Sequence, residues 1–398
     1  MLSKMDHVFL SRCLDLAFQG RGAARPNPLV GAVVVKGGET VATGYHQKYG
    51  GFHAEAHALQ AAGLRARGAT LYCNLEPCSF HSPEKHNGPC TEKIISAGVG
   101  RVVAGQLDPN PRVRGRGVEI LREAGIEVEV ADDKAYWYAN ARFNTNQTRS
   151  RPFVTLKLAQ SLDGKIATAV GDSKWISDEQ ARTEGHGLRA DHDAVMVGRG
   201  TLASDDPRLT VRVPDLDPPS RQPRPVVIDS RLDISPNSHL LRQRAAELLV
   251  VSSVPEYQGA EEKKRRDEKK RRLTDLGVEI IQVDSDERGS LSLPQTLAEL
   301  RNRGIHSLMV EGGAALAGSF IRAGFFDAVQ IYIAPIFVGG DGVSLPPLGI
   351  RNIADSPRLE GVTIRQLGDQ VSLRGFRSGW LEEVKGTLKE DTDVHRIG

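Results

Sequence analysis

His53-Ala54-Glu55, then Glu76-Pro77-Cys78-Ser79, then Pro89-Cys90 are the segments on which the reading of this chain turns. One imidazole and two thiolates suit Zn2+, which favours nitrogen and sulfur donors in a tetrahedron. Three protein ligands leave the fourth corner to water, the arrangement of catalytic sites, whereas structural sites are closed by four. Zinc brings the pKa of bound water down to about 7, which makes hydroxide at neutral pH. Glu55 stands two residues past the imidazole and is not itself a ligand, so it can take a proton and hand it to a leaving amine. Each fragment alone is weak, because a His-Ala-Glu tripeptide arises by chance and an isolated cysteine is usually a small buried apolar residue. Their order and company carry the reading.

A His-x-Glu followed by Pro-Cys and a second cysteine is the pattern of zinc deaminases. The spacing departs from it: eleven residues separate Cys78 from Cys90, where the general pattern has Cys-x-x-Cys. The loop 79–89 is therefore expected to bulge out and line the substrate pocket. Cys78 and Cys90 are expected at or near helix starts, which favours their thiolates. His57, one turn past His53, reads as a packed neighbour rather than a further ligand. His81 and His86 stand in the long loop, as a fourth ligand or as solvated side chains, and neither is assigned as a ligand. Cys13 and Cys73 fall on an apolar helix face and in a strand, and read as core.

Outward from these segments, strand signals at 30–36, 70–75, 101–105 and 127–130 alternate with helix signals at 6–19, 54–62, 90–97 and 117–124. Alternation of this kind implies a sheet sandwiched between helices. Residues 1–20 read as an amphipathic helix, with Val8, Cys13, Leu14, Leu16 and Ala17 near one face. A polar stretch at 140–151 marks a boundary, and beyond it strands resume at 153–158, 194–197, 225–228, 247–252, 278–283, 307–310 and 328–333. The expected domains are 1–146 and 147–385, with a polar, frayed tail at 386–398. Residues 261–272 are a run of charged side chains of both signs, which reads as a solvated helix or loop rather than a nucleic-acid patch.

Two glycine motifs in the second half bear on phosphate binding. Gly198-Arg199-Gly200-Thr201-Leu202-Ala203 matches G-x-G-x-x-A, but Asp205-Asp206-Pro207 follows and the proline-rich stretch to Pro225 offers no crossover helix. The Rossmann reading is rejected on that ground. Glu311-Gly312-Gly313 follows a strand and precedes a helix, a junction where backbone amides can meet a phosphate.

Composition sets the outer limits. A chain of 398 residues is too long for one ordinary core. Its 39% apolar and 26% charged residues are those of a globular protein, and a net charge of +2 gives no reason to expect a polyanion as partner. No apolar run is long enough to span a bilayer, and Asp6, His7, Arg12 and Asp15 interrupt any signal-peptide core. Four cysteines are too few for a disulfide framework, so reduced thiols and a cytoplasmic setting are expected.

Further segments narrow the choice: Pro26-Asn27-Pro28-Leu29-Val30-Gly31, Asp108-Pro109-Asn110-Pro111, Gly115-Arg116-Gly117, and Leu156-Lys157-Leu158-Ala159-Gln160-Ser161-Leu162-Asp163-Gly164-Lys165. Together with the zinc segments, and in this order, they closely resemble the bifunctional deaminase-reductase family of riboflavin biosynthesis. The resemblance implies a cytidine-deaminase-like αβα sandwich followed by a dihydrofolate-reductase-like α/β domain. It implies hydrolytic deamination of a phosphoribosylated diaminopyrimidinone, then NADPH-dependent reduction of its ribosyl group to ribityl. It also implies a homo-oligomer. The loop is the departure, since the family usually has a shorter segment there; Lys85 or His86 would stand for its basic, substrate-reading residue.

Carried over residue by residue, the resemblance gives Zn2+ to His53, Cys78 and Cys90, proton transfer to Glu55, and a pocket asparagine at Asn27. It gives NADPH to Ala159, Trp175, Thr201, Asp205, Ser230 and the run Gly313, Ala314, Ala315, Leu316, Ala317, Gly318 and Ser319. It gives the substrate of the second reaction to Lys157, Ser173, Arg189, Leu209, Arg212 and Glu311. Three basic side chains in that set suit a phosphate. The alternatives weighed against this are a zinc deaminase acting on a nucleic-acid base, a binding module with structural zinc, and a reductase of another pterin or pyrimidine.

Overall fold

The computed structural model describes residues 2–81, 88–174, 176–213, 221–254, 259–286 and 289–394, the last six by backbone alone. Contacts divide the chain into two compact units, Met1–Arg149 with Leu381–Gly398, and Ser150–Trp380.

The first unit is built on a five-stranded sheet of β1 (Gly31–Lys36), β2 (Glu39–Tyr45), β3 (Thr70–Cys73), β4 (Arg101–Ala104) and β5 (Glu127–Val130), in the order β2-β1-β3-β4-β5. β1 runs antiparallel to both neighbours, while β3, β4 and β5 are parallel. The two-residue turn Gly37-Gly38, both at positive φ, closes the β1–β2 hairpin, and this strand pair was not anticipated from sequence. Side-chain alternation sorts the strands between two cores. Ala32 and Val34 join Leu71, Val102 and the helices α2 (Ala54–Ala62), α3 (Cys90–Ser96) and α4 (Arg116–Glu123) on one face. Val33 and Val35 join Tyr72, Val103 and α1 (Lys4–Phe18) on the other. α1 buries Phe9, Leu10, Cys13 and Ala17, while Val8 is 56% exposed and Leu14 and Leu16 are only half-buried. The apolar stripe expected through Val8 thus runs through Phe9 and Leu10, which lie on the side of the helix nearer Cys13. The short helices α5 (Lys134–Ala139) and α6 (Ala141–Thr148) end the N-terminal part.

The second unit has a nine-stranded sheet. In chain order its elements are β6 (Phe153–Ser161), α7 (Glu179–Ala190), β7 (Ala194–Gly198), α8 (Arg199–Asp205), β8 (Arg224–Ile228), α9 (His239–Arg244), β9 (Leu249–Ser253), α10 (Ala260–Asp275) and β10 (Glu279–Val283). Then come α11 (Leu293–Asn302), β11 (Ser307–Glu311), α12 (Ala314–Ala323), β12 (Ala328–Ala334), β13 (Leu359–Leu367) and β14 (Gln370–Arg377). The sheet order is β10-β9-β8-β7-β11-β6-β12-β14-β13. The strands from β10 to β12 pair in parallel; β14 and β13 are antiparallel. Parallel strands covered on both faces need near-continuous apolar runs, and β7 and β11 are buried almost throughout. The β13–β14 hairpin was missing from the sequence reading, because β13 is largely exposed and carries no core periodicity.

The remaining difference is at the C-terminus. Residues expected as a frayed tail continue α13 (Trp380–Val394), and from Leu381 onward that helix belongs with the first unit. Lys385 pairs with Asp132 at 2.9 Å and stands 5.0 Å from the Trp137 ring, and Glu383 pairs with Arg149 at 2.7 Å. These two side chains stand just ahead of the expected tail and have partners more than two hundred residues away, and within the tail the Leu388 carbonyl accepts from Arg114. Among the described residues no helix is long and apolar enough to cross a membrane.

Candidate active sites

In the first unit the main chain delivers the three donors. His53 is the N-cap of α2 in extended conformation (φ −73°, ψ 161°), so Glu55 falls in the helix's first turn. Pro89 caps α3, making Cys90 its first residue. Cys78 lies in the coil after β3 and starts no helix of its own, but its sulfur accepts the Cys90 amide, the first of α3, at 3.4 Å, so both thiols sit at the positive end of that helix. The His53 Nδ1 stands 3.5 Å from the Cys78 sulfur and 3.3 Å from that of Cys90. Zinc bonded to sulfur at about 2.3 Å and nitrogen at about 2.05 Å, in a tetrahedron, has S···N edges of about 3.5 Å. The donor set therefore fits the ion. Among the described residues this is the one group of three such donors close enough to share a metal, with all donor atoms within 4.8 Å.

Glu55 is only 3% exposed, and burial raises its carboxyl above the ordinary range, with the His53 charge opposing. Such a group holds a proton more readily than a solvated carboxylate does. His57 stands edge-on to Phe52, with ring centres 5.7 Å apart, and is outside the donor group. His81 pairs at the surface with Glu92 at 2.8 Å. Lys85 and His86 lie outside the described residues. Cys13 and Cys73 are fully buried, and burial pushes both thiols up, as core cysteines require.

Two supports went unread in the sequence. Buried Glu76 accepts four backbone amides: Asp108 (3.0 Å) and Gly115 (2.9 Å) on one oxygen, Gly117 (2.9 Å) and Val118 (3.2 Å) on the other. It ties the coil carrying Cys78 to the start of α4. His46 stands with its ring centre 5.5 Å from that of His53. Burial lowers its pKa, and as a neutral ring its Nδ1–H donates to the Phe52 carbonyl at 3.0 Å. Its Nε2 then accepts from the Asn27 Nδ2 at 3.1 Å, which fixes the orientation of that amide. The sequence signal for His46 was its place at the end of β2, a strand that was itself unread.

In the second unit the charged residues gather at the carboxyl ends of parallel strands, where ligands of open α/β sheets bind. Lys157 on β6 is in register with Glu311, the last residue of β11, and lies 5.5 Å from the Tyr332 ring centre. Arg189 from α7 grips Glu311 through two bonds, 2.5 and 2.7 Å. It also donates to the Thr210 carbonyl at 3.0 Å, while Arg212 reaches the Thr210 hydroxyl at 2.6 Å. Burial alone would raise the Glu311 carboxyl; Arg189 and Lys157 outweigh it and hold it at about 2. His186, one turn before Arg189, is pushed down to about 4 by burial and by the Arg189 and Arg212 charges, so it is neutral at pH 7. Leu209 is buried at φ 50°, a costly conformation for a branched side chain. Arg244 braces that turn by donating to the Leu209 carbonyl (3.2 Å) and the Pro223 carbonyl (2.8 Å). Ser173 lies in the loop between β6 and α7, and Trp175 is outside the described residues.

The expected cofactor residues spread along the same edge. Thr201 accepts the Gly313 amide on its hydroxyl at 3.0 Å. Gly312 is at φ 96°, and a Cβ there would meet the same hydroxyl at 2.6 Å, so only glycine permits this approach. α12 starts after Gly313 with no side-chain cap, which leaves its first amides to a phosphate. Ala314, Ala315 and Leu316 form that first turn; Ala317 is buried, Gly318 abuts Pro346, and Ser319 bonds back to the Ala315 carbonyl. Ala159 is half-buried on β6, Asp205 is exposed at the end of α8, and Ser230 follows β8. An open helix start beside a hydroxyl and a glycine cradle suits the pyrophosphate of a dinucleotide.

Comparison with known proteins matches each unit. The cytidine and deoxycytidylate deaminase zinc-binding region matches residues 3–106, and the RibD C-terminal domain matches residues 152–373. The riboflavin biosynthesis protein RibD of Aquifex aeolicus is 40% identical over 373 residues, which cover 93% of this chain and 98% of that protein. The structure of Acinetobacter baumannii RibD is similar at a TM-score of 0.78 and 32% identity, covering 94% of this chain and 99% of that one. A Thermotoga maritima structure described as a diaminohydroxyphosphoribosylaminopyrimidine deaminase/5-amino-6-(5-phosphoribosylamino)uracil reductase follows at 0.74 and 34%, with 94% and 99% covered. With likeness of this extent running through both units, the chain belongs to the RibD family of riboflavin biosynthesis proteins.

Proposed function

We infer that the chain catalyses two consecutive steps of riboflavin biosynthesis. The first is hydrolytic deamination of 2,5-diamino-6-(5-phosphoribosylamino)pyrimidin-4-one. The second is reduction of the ribosyl group by NADPH, giving 5-amino-6-(5-phosphoribitylamino)uracil. The observation that carries the first step is the convergence of His53, Cys78 and Cys90 beside buried Glu55.

Zinc held by these three side chains supplies a water acidified to near neutrality. Glu55 takes a proton from the attacking water and returns it to the departing ammonia. Asn27, its Nδ2 bonded to His46, keeps its carbonyl oxygen for the pyrimidine. In the second unit NADPH supplies the hydride. Lys157, Arg189 and Arg212 hold the phosphate and the sugar oxygens, Glu311 steadies Arg189, and neutral His186 leaves the cluster its positive excess. A net charge of +2 favours a small-molecule substrate over a base in nucleic acid. Four free cysteines suit a reducing compartment, the cytoplasm, and a homo-oligomer is the expected state in solution.

A coupled assay tests this reading. Purified protein with zinc and the diaminopyrimidine is expected to release ammonia and then consume NADPH in equal amounts. Ammonia release without NADPH consumption would remove the second step, and NADPH consumption with dihydrofolate instead would reassign it.

A further inference from the structure

Charges on the sheet's carboxyl edge suggest which dinucleotide the second unit takes. Lys157, Glu311 and Arg189 mark the reacting end at β6 and β11, and Gly313 with Thr201 marks the phosphates at β11 and β7. The sheet continues through β8 to β9. From β11 to β9 is three steps of about 4.8 Å, so the far end of an extended cofactor comes over the ends of β8 and β9. One cation there is anchored to the strand ends. Arg266, half-buried on the mostly exposed α10, donates through one terminal nitrogen to the carbonyls of Ser230 (3.0 Å) and Ser253 (2.8 Å) and to the Ser253 hydroxyl (3.3 Å). Its Nε and other terminal nitrogen meet no acceptor among the described residues.

The carboxylates nearby are already engaged. In Rossmann-type enzymes that take NADH, an acid at a strand end bonds the ribose hydroxyl. Asp229 stands at that point after β8, but its oxygens accept the amides of Arg231 (3.2 Å) and Asp233 (2.5 Å), and Asp233 pairs with Lys269 at 2.6 Å. What remains is a guanidinium steadied by three oxygens, with donors to spare. A planar fork of this kind suits a phosphate monoester.

We propose that Arg266 reads the 2′-phosphate of NADPH and sets the preference for NADPH over NADH. The proposal rests on the reading of the second unit as a nicotinamide-dependent reductase. Equilibrium binding of NADP+, NAD+ and 2′,5′-ADP tests it on the full chain, by calorimetry, for the unaltered protein, Arg266→Ala, Arg266→Lys and Arg265→Ala, an exposed neighbour on the same helix. Arg266→Ala is expected to weaken NADP+ and 2′,5′-ADP about 10- to 100-fold, with NAD+ changed less than about twofold. Arg266→Lys should recover part of the loss, and Arg265→Ala should change nothing. If Arg266→Ala keeps the preference, or loses NAD+ and NADP+ equally, the guanidinium only ties α10 to the sheet and the proposal is wrong. Equal binding of NADP+ and NAD+ by the unaltered protein overturns it as well. Binding of neither dinucleotide overturns the reductase reading itself, a distinct result.

Discussion

His53, Cys78 and Cys90 are held by main chain, whereas Lys157, Glu311 and Arg189 hold one another. In the first unit an N-cap, a helix start and a coil fixed by the Glu76 carboxylate put the donors in place. In the second the groups come from β6, β11 and α7, and their positions depend on an ion pair, on neutral His186 and on a strained turn. A metal centre tolerates little change in its donors, because only a few side chains ligate zinc. A phosphate-binding cluster of several cations degrades by degrees. The first site should therefore fail abruptly under single substitutions and the second gradually.

The largest expected effect is at Glu55. Glu55→Ala should slow ammonia release about 10²- to 10⁴-fold while zinc content stays at one per chain and reduction of the deaminated compound is unaffected. Ammonia release at the normal rate would end the role given to Glu55. Next is the cradle beneath Cys78. Glu76→Ala leaves four amides without their acceptor, at a cost of about 3 kcal/mol or more if water does not replace it, and should lower the midpoint of denaturant unfolding of the first unit and its retention of zinc. A variant as stable and as zinc-replete as the parent would mean that the main chain needs no such support, and the contrast between the units would weaken.

The smallest effect is a pH dependence in the second unit. His186 is held at about 4 in the folded chain, against about 6.5 for an unfolded one. The unfolded chain therefore binds the proton first, so the contribution of neutral His186 to stability is complete above about pH 6.5 and is lost as pH falls toward 4. Urea titrations across that window should show a shallower decline for His186→Gln than for the parent. Identical slopes would show that neither burial nor the Arg189 and Arg212 charges depress the His186 pKa.

The two regions also differed in how far they could be read in advance. His53, Glu55, Cys78 and Cys90 were legible because metal chemistry restricts residue type and the spacings are short. The inner strands of the second sheet were legible because burial on both faces demands continuous apolar runs. β2 and the β13–β14 hairpin were not, since strands that are half-buried or exposed leave a weak apolar signal. Glu311 and Arg189 are 122 residues apart, and no local pattern announces a pair at that distance; resemblance alone nominated them. Arg244 and Arg266 carried no motif at all, because a guanidinium that bonds carbonyl oxygens needs no particular neighbours in sequence.

What the amino-acid order determined by itself was the donor set, the carboxyl group beside it and the alternation of strand and helix, all of which depend on residue type and local periodicity. What only folding decided was the engagement of charge. It gave Glu76 its four amides, Glu311 its arginine and α13 its place with the first unit. Electrostatic partners act through space, and the distance between them along the chain sets no limit on the distance between them in the fold.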